Sequence, residues 1–167
     1  MKRTQIFKAD GMIVAATLLL AAATAWAQSP HFVGKVTATL VAGNSVQVCF
    51  KEAGLGNNQS IDYTASGNAT ATFVCVNNGG NCPNAANKTT VSGPVAATGT
   101  FNSGKNGSIS QCLTIQPPGA GGFTCPGGQT RTLSQVSYSG LKITDTTNNI
   151  TKAATPSQLS ATPFTCP

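Results

Sequence analysis

The sequence predicts an all-β domain: an antiparallel β-sandwich of about eight strands, immunoglobulin-like or similar, stabilised by disulfides. Three observations carry that expectation. Apolar and polar residues alternate with period two over most of the chain. Clusters of Gly and Asn punctuate the alternating runs. No segment beyond residue 27 combines a helical period with capping residues at its ends. A closed barrel fits the same pattern, because alternation does not say whether a sheet closes.

The alternating runs are specific. In "SVQVCFKE", Val46, Val48 and Phe50 point one way while Gln47, Cys49 and Lys51 point the other. In "ATATFVCV", Ala69, Ala71, Phe73 and Cys75 alternate with Thr70, Thr72, Val74 and Val76. In "SISQCLTIQ", Ile109, Gln111, Leu113 and Ile115 alternate with Ser110, Cys112 and Thr114. In "TLSQVSYSGLKIT", Leu133, Gln135, Ser137 and Ser139 alternate with Ser134, Val136, Tyr138 and Gly140. Each run reads as a strand buried on one face. Turns are expected between runs at Ala42–Ser45, Ser66–Asn68, Ser103–Gly107 and Asp145–Asn149, where Gly and Asn tolerate positive φ. The Pro- and Gly-rich stretch Gln116–Gly128 reads as a loop without regular structure.

The N-terminus reads as a secretory signal peptide. Lys2, Arg3 and Lys8 form a basic start, Met12 to Ala25 an apolar run, and Ala25-Trp26-Ala27 a small-residue cleavage site. Cleavage is expected after Ala27, leaving residues 28–167 as one domain with no membrane anchor, secreted or periplasmic. All six cysteines follow that site, and an even count in an exported chain reads as three disulfides.

Charge is sparse. Charged residues are 8% of the chain against an ordinary share of roughly a quarter, so Ser, Thr, Asn and Gly must carry the polar surface. The seven basic residues beyond the signal are scattered and not interleaved with aromatics, which argues against nucleic-acid binding. A single histidine, His31, leaves nucleophilic catalysis without a well-placed base. The three acids of the domain, Glu52, Asp62 and Asp145, are the only candidates for a hydrolytic carboxylate pair. Asp145 is also placed to close its own turn. "GTFNSGKN", Gly99–Asn106, approaches a phosphate-binding loop in spacing. It has Asn106 at the hydroxyl position and a strand where a helix is required, so it reads as a turn. Sugar-binding modules use aromatic platforms, for which Tyr63 and Tyr138 are the tyrosine candidates.

Cys75 and Cys82 flank an amide-rich loop, with Asn77, Asn78, Asn81, Asn84 and Asn87 as candidate contact residues. The loop has no carboxylate for calcium, and the cysteine spacing is too wide for an ordinary zinc pair, so no metal and no cofactor is expected. Six cysteines allow many pairings. Face alternation favours Cys49 with Cys112, and lets Cys75 reach Cys125, which leaves Cys82 for Cys166.

"KEAGLGN", "NAANKTT", "GTFNSGKNGSIS", "FTCPGGQ" and "YSGLKITDTTNNIT" together resemble a family of small secreted bacterial proteins without an established function. The resemblance covers most of the domain and implies an exported all-β chain. It also implies a bond between Cys75 and Cys125, whose counterparts recur in such relatives. It implies no catalytic residue. The functional expectation is a non-enzymatic secreted or cell-surface binding or structural protein, with an extracellular or envelope partner, protein or glycan. The alternatives are an extracellular hydrolase using Glu52, Asp62 or Asp145, and a carbohydrate-binding module.

Overall fold

The computed structural model describes residues 29–82 and 87–167. The expected signal segment and Asn84 lie outside the described residues. Nine strands run in order: β1 His31–Phe32, β2 Val36–Val41, β3 Ser45–Ala53, β4 Ser60–Asn77, β5 Lys88–Asn102, β6 Ser108–Ile115, β7 Gln129–Asp145, β8 Ile150–Thr155 and β9 Leu159–Ala161. Among the described residues the only helical segment is one 3-10 turn, Ala42–Asn44.

The strands form one continuous mixed sheet that folds over into two layers and stays open. In the first layer β3 is central. It pairs with β6 along one edge, from Val46↔Ile115 to Ala53↔Ser108, and with β2 and then β1 along the other. In the second layer β4 lies between β5 and β7, and β7 pairs on its far edge with β8 and β9. Strand β8 joins the layers: it runs antiparallel to β7 and parallel to β2 through Val36↔Ala154 and Thr37↔Thr155. The sheet is therefore not purely antiparallel, contrary to expectation. Parallel pairing needs a long crossover, and here the whole of β3 to β7 supplies it.

The core lies between the layers. Val46, Val48 and Phe50 of β3 share one buried cluster with Ile61, Tyr63 and Ala65 of β4, and the Phe50 and Tyr63 rings meet across it at a tilt of 39° with centroids 4.5 Å apart. Within the second layer Ala65 and Ala69 of β4 lie beside the larger Ile143 and Tyr138 of β7, and all four belong to the buried core. The Tyr138 hydroxyl donates to the Asn44 carbonyl at 2.7 Å, fastening β7 to the β2–β3 turn. That hydroxyl is pushed up to about 12 by burial.

Two turns expected from the sequence form hairpins, Ala42–Asn44 and Thr146–Asn149. Ser103–Gly107 does turn, but it carries the chain from one layer to the other. Ser66–Asn68 does not turn. It lies inside the 18-residue β4, whose ladder to β5 runs unbroken through Ser66↔Ala96, Gly67↔Val95 and Asn68↔Pro94. Gly67 serves a bulge instead: one residue of β4 stands opposite Gly140 and Leu141 of β7, and Gly140 adopts φ +62°. A second bulge at Ser134, whose hydroxyl donates to the Thr72 carbonyl at 3.1 Å, follows eight residues down the ladder from Lys142.

Disulfides join Cys49 to Cys112, Cys75 to Cys125 and Cys82 to Cys166, and no cysteine is free. Cys49 and Cys112 are direct register partners on the outer face of the first layer. Cys75 is buried at the end of β4 and ties down the Gln116–Gly128 loop, which the Arg131 side chain also holds through the Phe123 carbonyl at 2.9 Å. Three disulfides fit an oxidising compartment, extracellular or periplasmic. No helix among the described residues is long and apolar enough to cross a membrane.

Two outcomes follow from this architecture. A Cβ at Gly67 would sit 2.9 Å from the Ser139 carbonyl oxygen, so Gly67→Val should cost about 2–3 kcal/mol. Gly93→Val, in open space on β5, should stay within about 0.5 kcal/mol of the parent. Urea midpoints of the two variants check this. Replacing Cys75 and Cys125 together by Ala should cost about 2–4 kcal/mol. The two bonds close loops of similar length, with sequence separations of 50 and 63, so the same change at Cys49 and Cys112 should cost less only by the cavity that truncating buried Cys75 leaves; denaturation under non-reducing conditions compares the pairs.

Candidate functional site

The three acids are brought into one neighbourhood and then separated by strand alternation. Glu52 follows Val46, Val48 and Phe50 in phase on β3 and is fully buried. Asp145 follows Leu141 and Ile143 on β7 and is fully buried too. Tyr63 is the register partner of Asp145 across the β4–β7 ladder. Glu52 reaches these two from the opposite layer. Asp62 is one residue from Tyr63, and so points to the other face of the sheet, where it is exposed.

The buried acids are satisfied unequally. Asp145 accepts from the Asn148 amide nitrogen at 2.8 Å and from its side-chain Nδ2 at 2.6 Å, so it closes the turn after β7. Among the described residues neither carboxyl oxygen of Glu52 has a hydrogen-bond partner of acceptable geometry, nor has the Tyr63 hydroxyl beside it. Burial therefore dominates Glu52 and raises its pKa to about 7, with the Asp145 charge adding to the rise; the Tyr63 hydroxyl and His31 act the other way. Burial and the Glu52 carboxyl also hold the Tyr63 hydroxyl far above the ordinary phenol range. His31 is exposed, with Nδ1 2.8 Å from the Ser29 carbonyl oxygen. A hydrolytic pair must touch its substrate. Glu52 and Asp145 have no surface to offer one, and Asp62 stands alone outside.

Asp62 borders a shallow cleft of about 320 Å³ with Thr98, Thr100 and Thr146. Its carboxylate accepts from the Thr100 hydroxyl at 2.6 Å, and its backbone is held by the Thr146 amide and the Thr147 hydroxyl. The phosphate-loop near miss is strand–turn–strand: Gly99 lies in β5, and the turn is held by the Asn102 side chain and by the Asn58 amide.

The amide loop uses part of its polar capacity on itself. Asn77 Oδ1 accepts from the Gly79 and Asn81 amides, and the Asn77 amide donates to the Asn81 carbonyl. Asn87 accepts through its carbonyl from the Cys75 amide, and its side chain reaches Gln129 at 3.4 Å. Asn78 is exposed with no side-chain bond of its own described. Neither tyrosine serves as a platform for a sugar, since both are buried in the core.

A feature that strand-by-strand reading misses is the outer face of the second layer. Register aligns its hydroxyl side chains in rows across the strands. One row is Thr98–Thr64–Thr144–Thr151, from β5 through β4 and β7 to β8. Another is Ser92–Thr70–Ser137–Ser160, and Thr90–Thr72–Gln135 lies beside it. Hydroxyl pairs within the rows are in contact: Thr144 with Thr151 at 2.9 Å, Thr70 with Ser92 at 2.9 Å, Thr72 with Thr90 at 3.1 Å. Asp62, Lys88 and Lys142 are the charges these strands place on that face. The signal was present as alternating Thr and Ser in each strand, but only the register makes rows of them.

Glu52 generates a pH dependence. The unfolded chain releases this proton near 4.5, while the folded chain holds it to about 7. Stability is thus fully present below pH 4.5 and is lost as pH rises to about 7. Urea midpoints should fall between these limits, and Glu52→Gln should flatten that part of the profile.

No family model, curated protein or solved structure matches the chain. The likeness to small secreted bacterial proteins stands on the quoted segments alone.

Proposed function

We propose that the chain is exported by its N-terminal signal, cleaved after Ala27, and acts as a non-enzymatic secreted or cell-surface binding protein. The observation that carries this reading is the hydroxyl-rich outer face of the β5–β4–β7–β8 layer. Hydroxyls within a row stand about 4.8 Å apart from strand to strand; along β4 the Thr70 and Thr72 rows are about 7 Å apart and the Thr64 row lies about 20 Å from the Thr70 row. Each exposed hydroxyl bond contributes little on its own, about 1 kcal/mol net. A repeating surface therefore suits a repeating partner, on which many weak contacts act together. The sparse charge favours a neutral one. A neutral extracellular glycan has those properties, and it would be held by hydrogen bonds and threonine methyl groups rather than by aromatic stacking.

Co-sedimentation with insoluble cellulose, chitin and β-glucan tests the reading. The parent protein should be retained on at least one. Thr64→Lys combined with Thr151→Lys should weaken retention about tenfold, the equivalent of 1.4 kcal/mol, with an unchanged urea midpoint. Retention of the variant at the parent level would remove the face from consideration. No retention of the parent on any of the three would remove the neutral glycan.

A further inference from the structure

Strand β5 ends the second layer and, among the described residues, pairs only with β4. Two backbone bonds fix which of its groups are free. The Cys75 amide donates to the Asn87 carbonyl at 3.0 Å, and the Ser103 amide donates to the Gln59 carbonyl at 2.9 Å, one at each end of the ladder. Odd-numbered residues of β5 therefore turn their backbone groups toward β4. Even-numbered residues, Lys88 to Asn102, turn theirs to the open edge.

Natural sheets protect such edges with charge, proline, bulges or a covering segment. Pro94 is even-numbered, so its missing N–H falls on the open edge and costs the β4 ladder nothing. It interrupts the row of free donors there. Beyond it, Ala96, Thr98, Thr100 and Asn102 present an uninterrupted row. That stretch, "AATGTFN", holds no charge and no proline, and its ladder to β4 has no bulge.

We propose that this edge pairs with a second copy of the chain. Segment Ala96–Asn102 meets its own counterpart antiparallel about a two-fold axis at Thr98. Three observations select this occupant and this register. Centring on Thr98 sets Thr98 against Thr98, a cross-strand hydroxyl pair of the favourable kind, and Ala96 against Thr100, which brings no charges together. Pro94 then falls opposite Asn102 at the end of the pairing, whereas a centre at Ala96 would put Pro94 inside it and lose a bond on each side. Lys88, the one charged residue of β5, lies outside the paired stretch. A symmetric contact is self-complementary and closes at two copies. It also extends the row Thr98–Thr64–Thr144–Thr151 across the axis into the same row of the second copy.

Sedimentation velocity of the oxidised, secreted chain over a series of concentrations, with no polysaccharide present, tests this apart from the contact-face reading. The parent should move from monomer to dimer as concentration rises. Thr98→Lys sets two like charges face to face and should remain monomeric. Thr98→Pro removes the central donor and should also remain monomeric; because its N–H faces the open edge, the bonds to β4 are untouched. Thr90→Lys, on the far side of Pro94, should dimerise like the parent, and urea midpoints of all variants establish that they are folded. A parent that stays monomeric throughout, a Thr98→Lys variant that dimerises normally, or a parent found only with an unrelated chain on this edge would each overturn the proposal.

Discussion

The rest of the structure depends on one backbone irregularity, the bulge of β7 opposite Gly67. Strand side chains alternate strictly, so a single extra residue reverses which face every later residue occupies. Before the bulge Val136 and Tyr138 point inward; after it Leu141, Ile143 and Asp145 do. Without the extra residue, the second half of β7 would send Leu141 and Ile143 to solvent and Lys142 and Thr144 into the core. Gly140 supplies the positive φ, and Gly67 leaves room for the Ser139 carbonyl and the Leu141 side chain. The long β4–β7 ladder can therefore run past the bulge while each strand keeps one apolar face.

The same correction of phase creates the two polar features of the molecule. Inside, it delivers Asp145 to the layer interface opposite Glu52. Outside, it keeps Thr144 in line with Thr64 and Thr151 on one side of the bulge, and Ser137 in line with Thr70 and Ser160 on the other. The two features differ in what they can do. The interior group is closed to solvent, and its effect is on stability, because a carboxyl without a partner is tolerated only while it keeps its proton. The exterior rows face outward, and the proposed contact with a partner is placed on them. Asp62, Lys88 and Lys142 are the charges the strands place on that face, and the hydroxyl rows run between them across four strands.

Disulfides and edges complete the picture. A Gly-rich sheet with little charge gains stability from cross-links that restrict the unfolded chain, and the three bonds close loops in different parts of the fold. One of them, Cys82–Cys166, brings the C-terminal segment beside Thr72, Val74 and Lys88, so that end of the outer face is occupied by the chain itself. Val74 is buried there although its phase is outward. The opposite end, around Thr64 and Thr98, carries no such cover among the described residues and lies beside the edge of β5.

Much of this was legible in the sequence. The alternation in "SVQVCFKE" places Val46, Val48 and Phe50 in the core, and the same phase carries Glu52 inward, a signal for a buried acid. The turns at Ala42–Asn44 and Thr146–Asn149 and the irregular stretch Gln116–Gly128 are local, because Gly, Asn and Pro restrict or free the backbone wherever they stand. Other features were decided only by the assembled structure. Ser66–Asn68 has the composition of a turn, yet it continues as strand because β5 and β7 pair with it on both sides. The phase of β7, the parallel contact of β2 with β8, the meeting of Glu52 with Asp145 and the threonine rows all depend on register between strands far apart in the chain. Periodicity within a strand is set by its own residues. Register is set by what the whole sheet must bury at once, and no single segment carries that information.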